Sequence, residues 1–133
     1  MATTVTPAHS RLKTATLVTI ISVLIQLGLG IAMLTGTYSV AIAKAHSGIG
    51  YLTTLGSIVA AVFAWQLSKA DASAKGLFFH ALSLPVLALI QNGLGESISS
   101  DALKWLHVAL GIAFVGAVVS LYTLLDKRAK VRA

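Results

Sequence analysis

Two histidines, His46 and His107, each stand at the entrance of an apolar stretch long enough to cross a membrane, and each is followed four residues later by a glycine, Gly50 or Gly111. A histidine inside a membrane span is costly enough to need a reason. If the chain threads the bilayer back and forth, both fall at one depth of one bundle, which is the arrangement needed to hold a haem iron between two imidazoles. A porphyrin is a flat, rigid plate wedged between helices, and it needs side chains missing where its faces pass. Residues i and i+4 share a helix face, so each glycine clears space beside its imidazole. Gly28, Gly30, Gly93 and Gly95 are expected to do the same on the first and third helices. Lys44, two residues before His46, and Lys104, three before His107, put an ammonium where haem propionates need a partner.

Each feature also has a plainer reading. Small residues let membrane helices pack closely, and an imidazole can hydrogen-bond a neighbouring helix. A lysine at a span end can be an ordinary interfacial anchor, and Trp65, Trp105, Tyr38 and Tyr122 fall where interfacial belts require them. His80 belongs near the opposite surface and cannot share an iron with the other pair. A second haem, a quinone or a proton path there would lack a partner histidine, so a structural role is expected. His9, in a polar Thr-rich opening segment, is expected to be solvated. Pro85 should kink the third span, with Ser83 or neighbouring helices meeting the freed backbone groups. Gln26 and Gln91, polar groups at membrane depth, should face the bundle interior.

The elements that position these residues follow from composition. Of 133 residues 56% are hydrophobic and only 11% charged, and the charges cluster so that long apolar stretches lie between them. Residues 14–36, 46–67, 76–95 and 103–125 each approach the roughly 20 that a helix needs to cross the hydrocarbon core. Nearly all of 1–133 is then one integral membrane domain. The absence of cysteine removes disulfides, thiolate metal sites, iron–sulfur ligation and thiol catalysis together.

Basic residues set the orientation. Arg11, Lys13, Lys69, Lys75, Lys127, Arg128, Lys130 and Arg132 fall on one side, and only Lys44 and Lys104 on the other, so the positive-inside rule places both termini in the cytoplasm. Topology thus accounts for the net charge of +6, and no nucleic-acid partner is expected. The basic tail can instead touch anionic lipid. Arg11, Lys13 and the small-residue triplet Ala41-Ile42-Ala43 resemble a signal peptide, but the apolar run between them exceeds the roughly 7–15 residues of a signal core.

An internal repeat organises the chain. Ile25-Gln26-Leu27-Gly28-Leu29-Gly30 recurs as Ile90-Gln91-Asn92-Gly93-Leu94-Gly95, and each copy is followed by a connection and then by His-x-x-x-Gly opening the next helix. The expected fold is all-α: a four-helix antiparallel transmembrane bundle made of two pseudo-repeated hairpins.

This pattern, with Trp105-Leu106-His107-Val108-Ala109-Leu110-Gly111 in the second hairpin, resembles one four-helix half of the haem A synthases over about residues 17–125. That family carries histidine ligands on the second and fourth helices of each half, and compact four-helix members exist. The resemblance implies that His46 and His107 match the ligand positions. The family's catalytic half has a glutamate one turn before the second-helix histidine and an arginine just after it, where this chain has Ala43 and Ser47. The resemblance therefore implies haem binding more than methyl-group oxidation.

The expectation is a cytochrome b-like protein of a prokaryotic cell membrane, holding one haem b and serving electron transfer or haem handling, with a quinone or respiratory-complex subunits as partners. It is not expected to be an enzyme by itself. The alternative is a haem-free accessory or scaffold subunit; a haem A synthase-like enzyme is the third reading.

Overall fold

A computed structural model describes residues 7–132, the last by its backbone alone. Residues 1–6 of the Thr-rich opening segment and the basic side chain of Arg132 lie outside the described residues. Four helices fill the described residues: α1 Pro7–Leu34, α2 Val40–Ala70, α3 Lys75–Glu96 and α4 Asp101–Arg132, with a 3-10 turn at Ala72–Ala74. All four are long and apolar enough to cross a membrane.

The boundaries have local causes. α1 ends where Gly36 takes φ 94°, a conformation that costs glycine least, and the Thr37 amide reaches back to the Ala32 carbonyl at 2.9 Å. Ser39 then caps α2 by accepting from the Ile42 amide at 3.2 Å. Asp71 ends α2 and turns the chain by accepting from the Ser73 amide at 3.0 Å. α1 starts at Pro7 rather than near 14, and α4 runs to Arg132 rather than stopping near 125. The hydropathy pattern marks only the apolar part of each helix, whereas the polar turns beyond it are held by ion pairs. α3 passes through Pro85 without ending. Ser83 donates to the His80 carbonyl at 2.7 Å, not to the Ala81 carbonyl that the proline deprives of its helical donor.

Consecutive helices pack side by side and α4 closes against α1, while neither diagonal pair comes into backbone contact among the described residues. The interior is small and polar for its size. Ala60, Ala64, Ala81, Thr16, Thr19 and Ser57 are fully buried, while Leu52, Leu55, Val86, Leu89 and Ile112 face outward, all more than half exposed. A water-soluble bundle would reverse this; a bundle in lipid gains from close helix approach and has no reason to hide leucine.

The end that holds both termini is closed. Leu12, Leu67, Leu121 and Leu125 fill its core at 0–2% exposure. Arg128 reaches from α4 to Asp71 and Ser73, and Lys13 of α1 meets Asp126 of α4 at 2.7 Å. His9 is not solvated. Because α1 begins before it, His9 falls on the inward stripe with Leu12 and Thr16, is only 6% exposed, and sets Nε2 3.1 Å from the Leu125 carbonyl.

Candidate haem site

The opposite end is hollow. A cavity of about 290 Å³ opens there, bounded by all four helices, and both His46 and His107 line it. α2 and α4 are diagonal across the bundle, so the two imidazoles approach from opposite sides of its axis. Their ring centres are 6.1 Å apart, with the ring planes inclined at 66°. His107 is oriented by its neighbour: Nδ1 lies 3.1 Å from the Gln91 backbone carbonyl, and the Gln91 amide returns a bond to the His107 carbonyl at 2.7 Å. The Gln26 backbone carbonyl is the corresponding neighbour of His46, but His46 Nδ1 is buried without a well-formed hydrogen bond.

The repeated glycines explain how the histidines fit. A Cβ at Gly30 would stand 3.4 Å from His46 Cε1, and one at Gly95 would stand 3.0 Å from His107 Cε1. In return, a Cβ at Gly50 would meet the Gln26 amide at 2.8 Å, and one at Gly111 the Gln91 amide at 2.9 Å. Each hairpin therefore contains a reciprocal fit: Gln-x-x-x-Gly on one helix receives His-x-x-x-Gly from the next, each long side chain lying over the other helix's glycine. Gly30, Gly50, Gly95 and Gly111 all line the cavity. The immediate neighbours are the Gln26 and Asn92 side chains at Gly50 and the Gln91 amide at Gly111.

The other residues singled out in the sequence are placed differently. Gly28 and Gly93 are not brought into the site; both are exposed, and nothing lies within 4 Å of where their Cβ would be. They fall two residues before Gly30 and Gly95, hence on another helix face. Lys104 lines the cavity and pairs with Asp101 at 2.6 Å, whereas Lys44 is exposed and does not. His80 lies outside the cavity and places Nε2 2.8 Å from the Ala117 carbonyl.

Comparison with known protein families, curated proteins and solved structures found no match to this chain. The likeness to the haem A synthases accordingly rests on the residues quoted above.

Two features of the site were missed in the sequence. Asn92 donates to Thr54 at 3.0 Å and lies against Gly50, tying the two hairpins together. Its signal was available, since Asn92 stands where the first copy of the repeat has Leu27. At the cavity mouth Tyr51 donates a hydrogen bond to Glu96 across the α2–α3 gap. No spacing rule singled out that pair.

Proposed function

We propose that this chain is a b-type haem-binding membrane protein, that His46 and His107 would hold the haem iron between them, and that it serves electron transfer or haem handling. The observation that carries the reading is the separation of the two imidazoles. A metal–imidazole bond of about 2 Å, plus about 1 Å from nitrogen to ring centre, puts two trans imidazoles about 6 Å apart centre to centre. The rings stand at 6.1 Å.

The donor set argues for a haem over a bare ion. Among the described residues no group of three or more histidine, aspartate or glutamate side chains converges. A porphyrin brings four nitrogens of its own and asks the protein for only two. The contact between His107 Nδ1 and the Gln91 carbonyl supports the same reading, because a ligating histidine characteristically donates its other ring N–H to a carbonyl or carboxylate. Lys104 is the cavity-lining cation for a propionate. When bound, haem supplies one-electron chemistry, and bis-imidazole ligation suits outer-sphere electron transfer over oxygen chemistry. With Ala43 and Ser47 where the catalytic half of the haem A synthases has a glutamate and an arginine, an oxidation of that type is disfavoured, and the protein is not an enzyme by itself in this reading. A quinone or respiratory-complex subunits would be its redox partners, in a prokaryotic cell membrane.

A second reading, a haem-free scaffold, is favoured by one observation: Gln26 and Asn92 already lie against Gly50, as pure helix packing would have it. Absorption spectra separate the two. Purified protein supplied with haem should show a sharp reduced α-band, lost in His46→Ala and in His107→Ala but retained in His80→Ala. A band that survives loss of His46 overturns the ligand assignment. Orientation is tested separately: a reporter after Ala133 should read as cytoplasmic and one near Ser99 as external.

A further inference from the structure

A second concavity lies on the outside of the bundle, in the groove between α1 and α2, and occupies about 560 Å³. Ser10, Arg11 and Thr14 line one end of it and Val18, Leu55 and Val59 line its length. From these residues we infer that the groove is a binding site for a phospholipid with an anionic headgroup, seated at the end of the bundle that holds both termini.

Three observations favour this occupant. Among the described residues Arg11, like Lys44, Lys69, Lys75 and Lys127, has no carboxylate partner, and it is the one basic side chain that lines the groove. The hydroxyls beside it are also unused: Thr16 and Thr19 donate to their own helix at 2.8 and 2.9 Å, while Ser10 and Thr14 make no hydrogen bond among the described residues. A guanidinium with two free hydroxyls one turn apart matches a phosphate, which accepts several hydrogen bonds and a charge. The groove also has the right length. From Ser10 to Ser22 it follows α1 for about 18 Å at the helical rise. One leaflet of hydrocarbon is about 15 Å, half of a roughly 30 Å core. A headgroup held at Arg11 would therefore lay an acyl chain along Val18, Leu55 and Val59 toward mid-membrane. The basic surplus of this end draws anionic lipid to it, and the groove would select one copy.

The test uses full-length protein in mild detergent, with lipid retention read by native mass spectrometry. The probes are phosphatidylglycerol, phosphatidylcholine and inorganic phosphate. One phosphatidylglycerol should be retained in preference to phosphatidylcholine, and inorganic phosphate should not displace it, because most of the contact is with the chain. Arg11→Gln should weaken retention by about fivefold or more, the effect of one basic residue at an anionic surface. Val18→Trp, which fills the groove from an exposed position, should abolish it. Lys75→Gln, which removes an equal charge outside the groove, should leave it unchanged. Equal retention of both lipids by the unaltered protein overturns the inference, as does an equal loss in Arg11→Gln and Lys75→Gln, or retention that survives Val18→Trp.

Discussion

The two ends of this bundle are built from the same helices and differ in what fills them. At the closed end four leucines meet at 0–2% exposure, and Arg128 and Lys13 bind α4 to the α2–α3 connection and to α1. At the hollow end the interhelical space is bordered by glycines, glutamines and two histidines, and about 290 Å³ is open. Packing density is therefore graded along the bundle axis. In lipid, where burial of leucine gains little from leaving water, the closed end supplies the van der Waals contact that holds the helices together. That leaves the other end able to keep a cavity and two imidazoles that a well-packed core would have displaced.

The largest expected effect that tests this gradient comes from shortening one leucine at each end. Leu121 is fully buried at the closed end, whereas Leu34 borders the cavity at 43% exposure. Leu121→Ala should cost about 2 kcal/mol, the low end of the soluble-protein range because the transfer component is small in lipid. Leu34→Ala should cost no more than about 0.5 kcal/mol. Reversible unfolding in mixed micelles measures both, and equal losses would mean that stability is not concentrated at the closed end.

Charge pairs sharpen the same comparison with a smaller effect. The Arg128–Asp71 pair is 16% and 22% exposed and is joined by bonds to Ser73, whereas Lys104 and Asp101 are 38% and 86% exposed. Arg128→Gln should cost about 1–2 kcal/mol, since it removes charge-assisted bonds from a partly buried network. Lys104→Gln should cost much less, and what it costs should shrink as added salt screens this exposed pair. In the haem-loaded protein Lys104→Gln has a second readout, a shifted reduction potential, if its ammonium faces a propionate.

The parts of this architecture that were legible in sequence are those written as period and composition. Four apolar stretches gave the helices, and the repeated Gln and His-x-x-x-Gly segments placed His46 and His107 at one depth, because a repeat fixes depth once the threading is known. The partner of each glycine was not legible. Gly50 and Gly111 were expected to make room for a plate beside their own histidines, but each receives a glutamine from the preceding helix. The rotation of one helix about its axis relative to the next decides this, and i, i+4 spacing within a single helix carries no information about it. His9 follows a related rule: a polar flank suggests exposure to solvent, but the helix begins at Pro7 and turns His9 inward.

The smallest expected effect separates glycines that serve the site from glycines that do not, within one copy of the repeat. Gly93 and Gly95 lie two residues apart on α3; a Cβ at Gly93 meets nothing within 4 Å, and one at Gly95 comes to 3.0 Å from His107 Cε1. Alanine is the better helix former by up to about 1 kcal/mol. Gly93→Ala should therefore leave haem content unchanged and stabilise the protein by a few tenths of a kcal/mol, or up to about 1. Gly95→Ala has the same propensity gain available but must move the imidazole by a few tenths of an ångström. That motion strains the contact of His107 Nδ1 with the Gln91 carbonyl at 3.1 Å. Its net stability change should be near zero, while the spectrum of bound haem and its reduction potential should shift. The paired variants Gly28→Ala and Gly30→Ala should repeat the contrast more weakly, because the approach at Gly30 is 3.4 Å and His46 has no well-formed bond at Nδ1 to lose. Equal behaviour of Gly93→Ala and Gly95→Ala in both stability and spectrum would show that the glycines act only through helix propensity, and that the reciprocal fit of histidine and glutamine does not position the ligands.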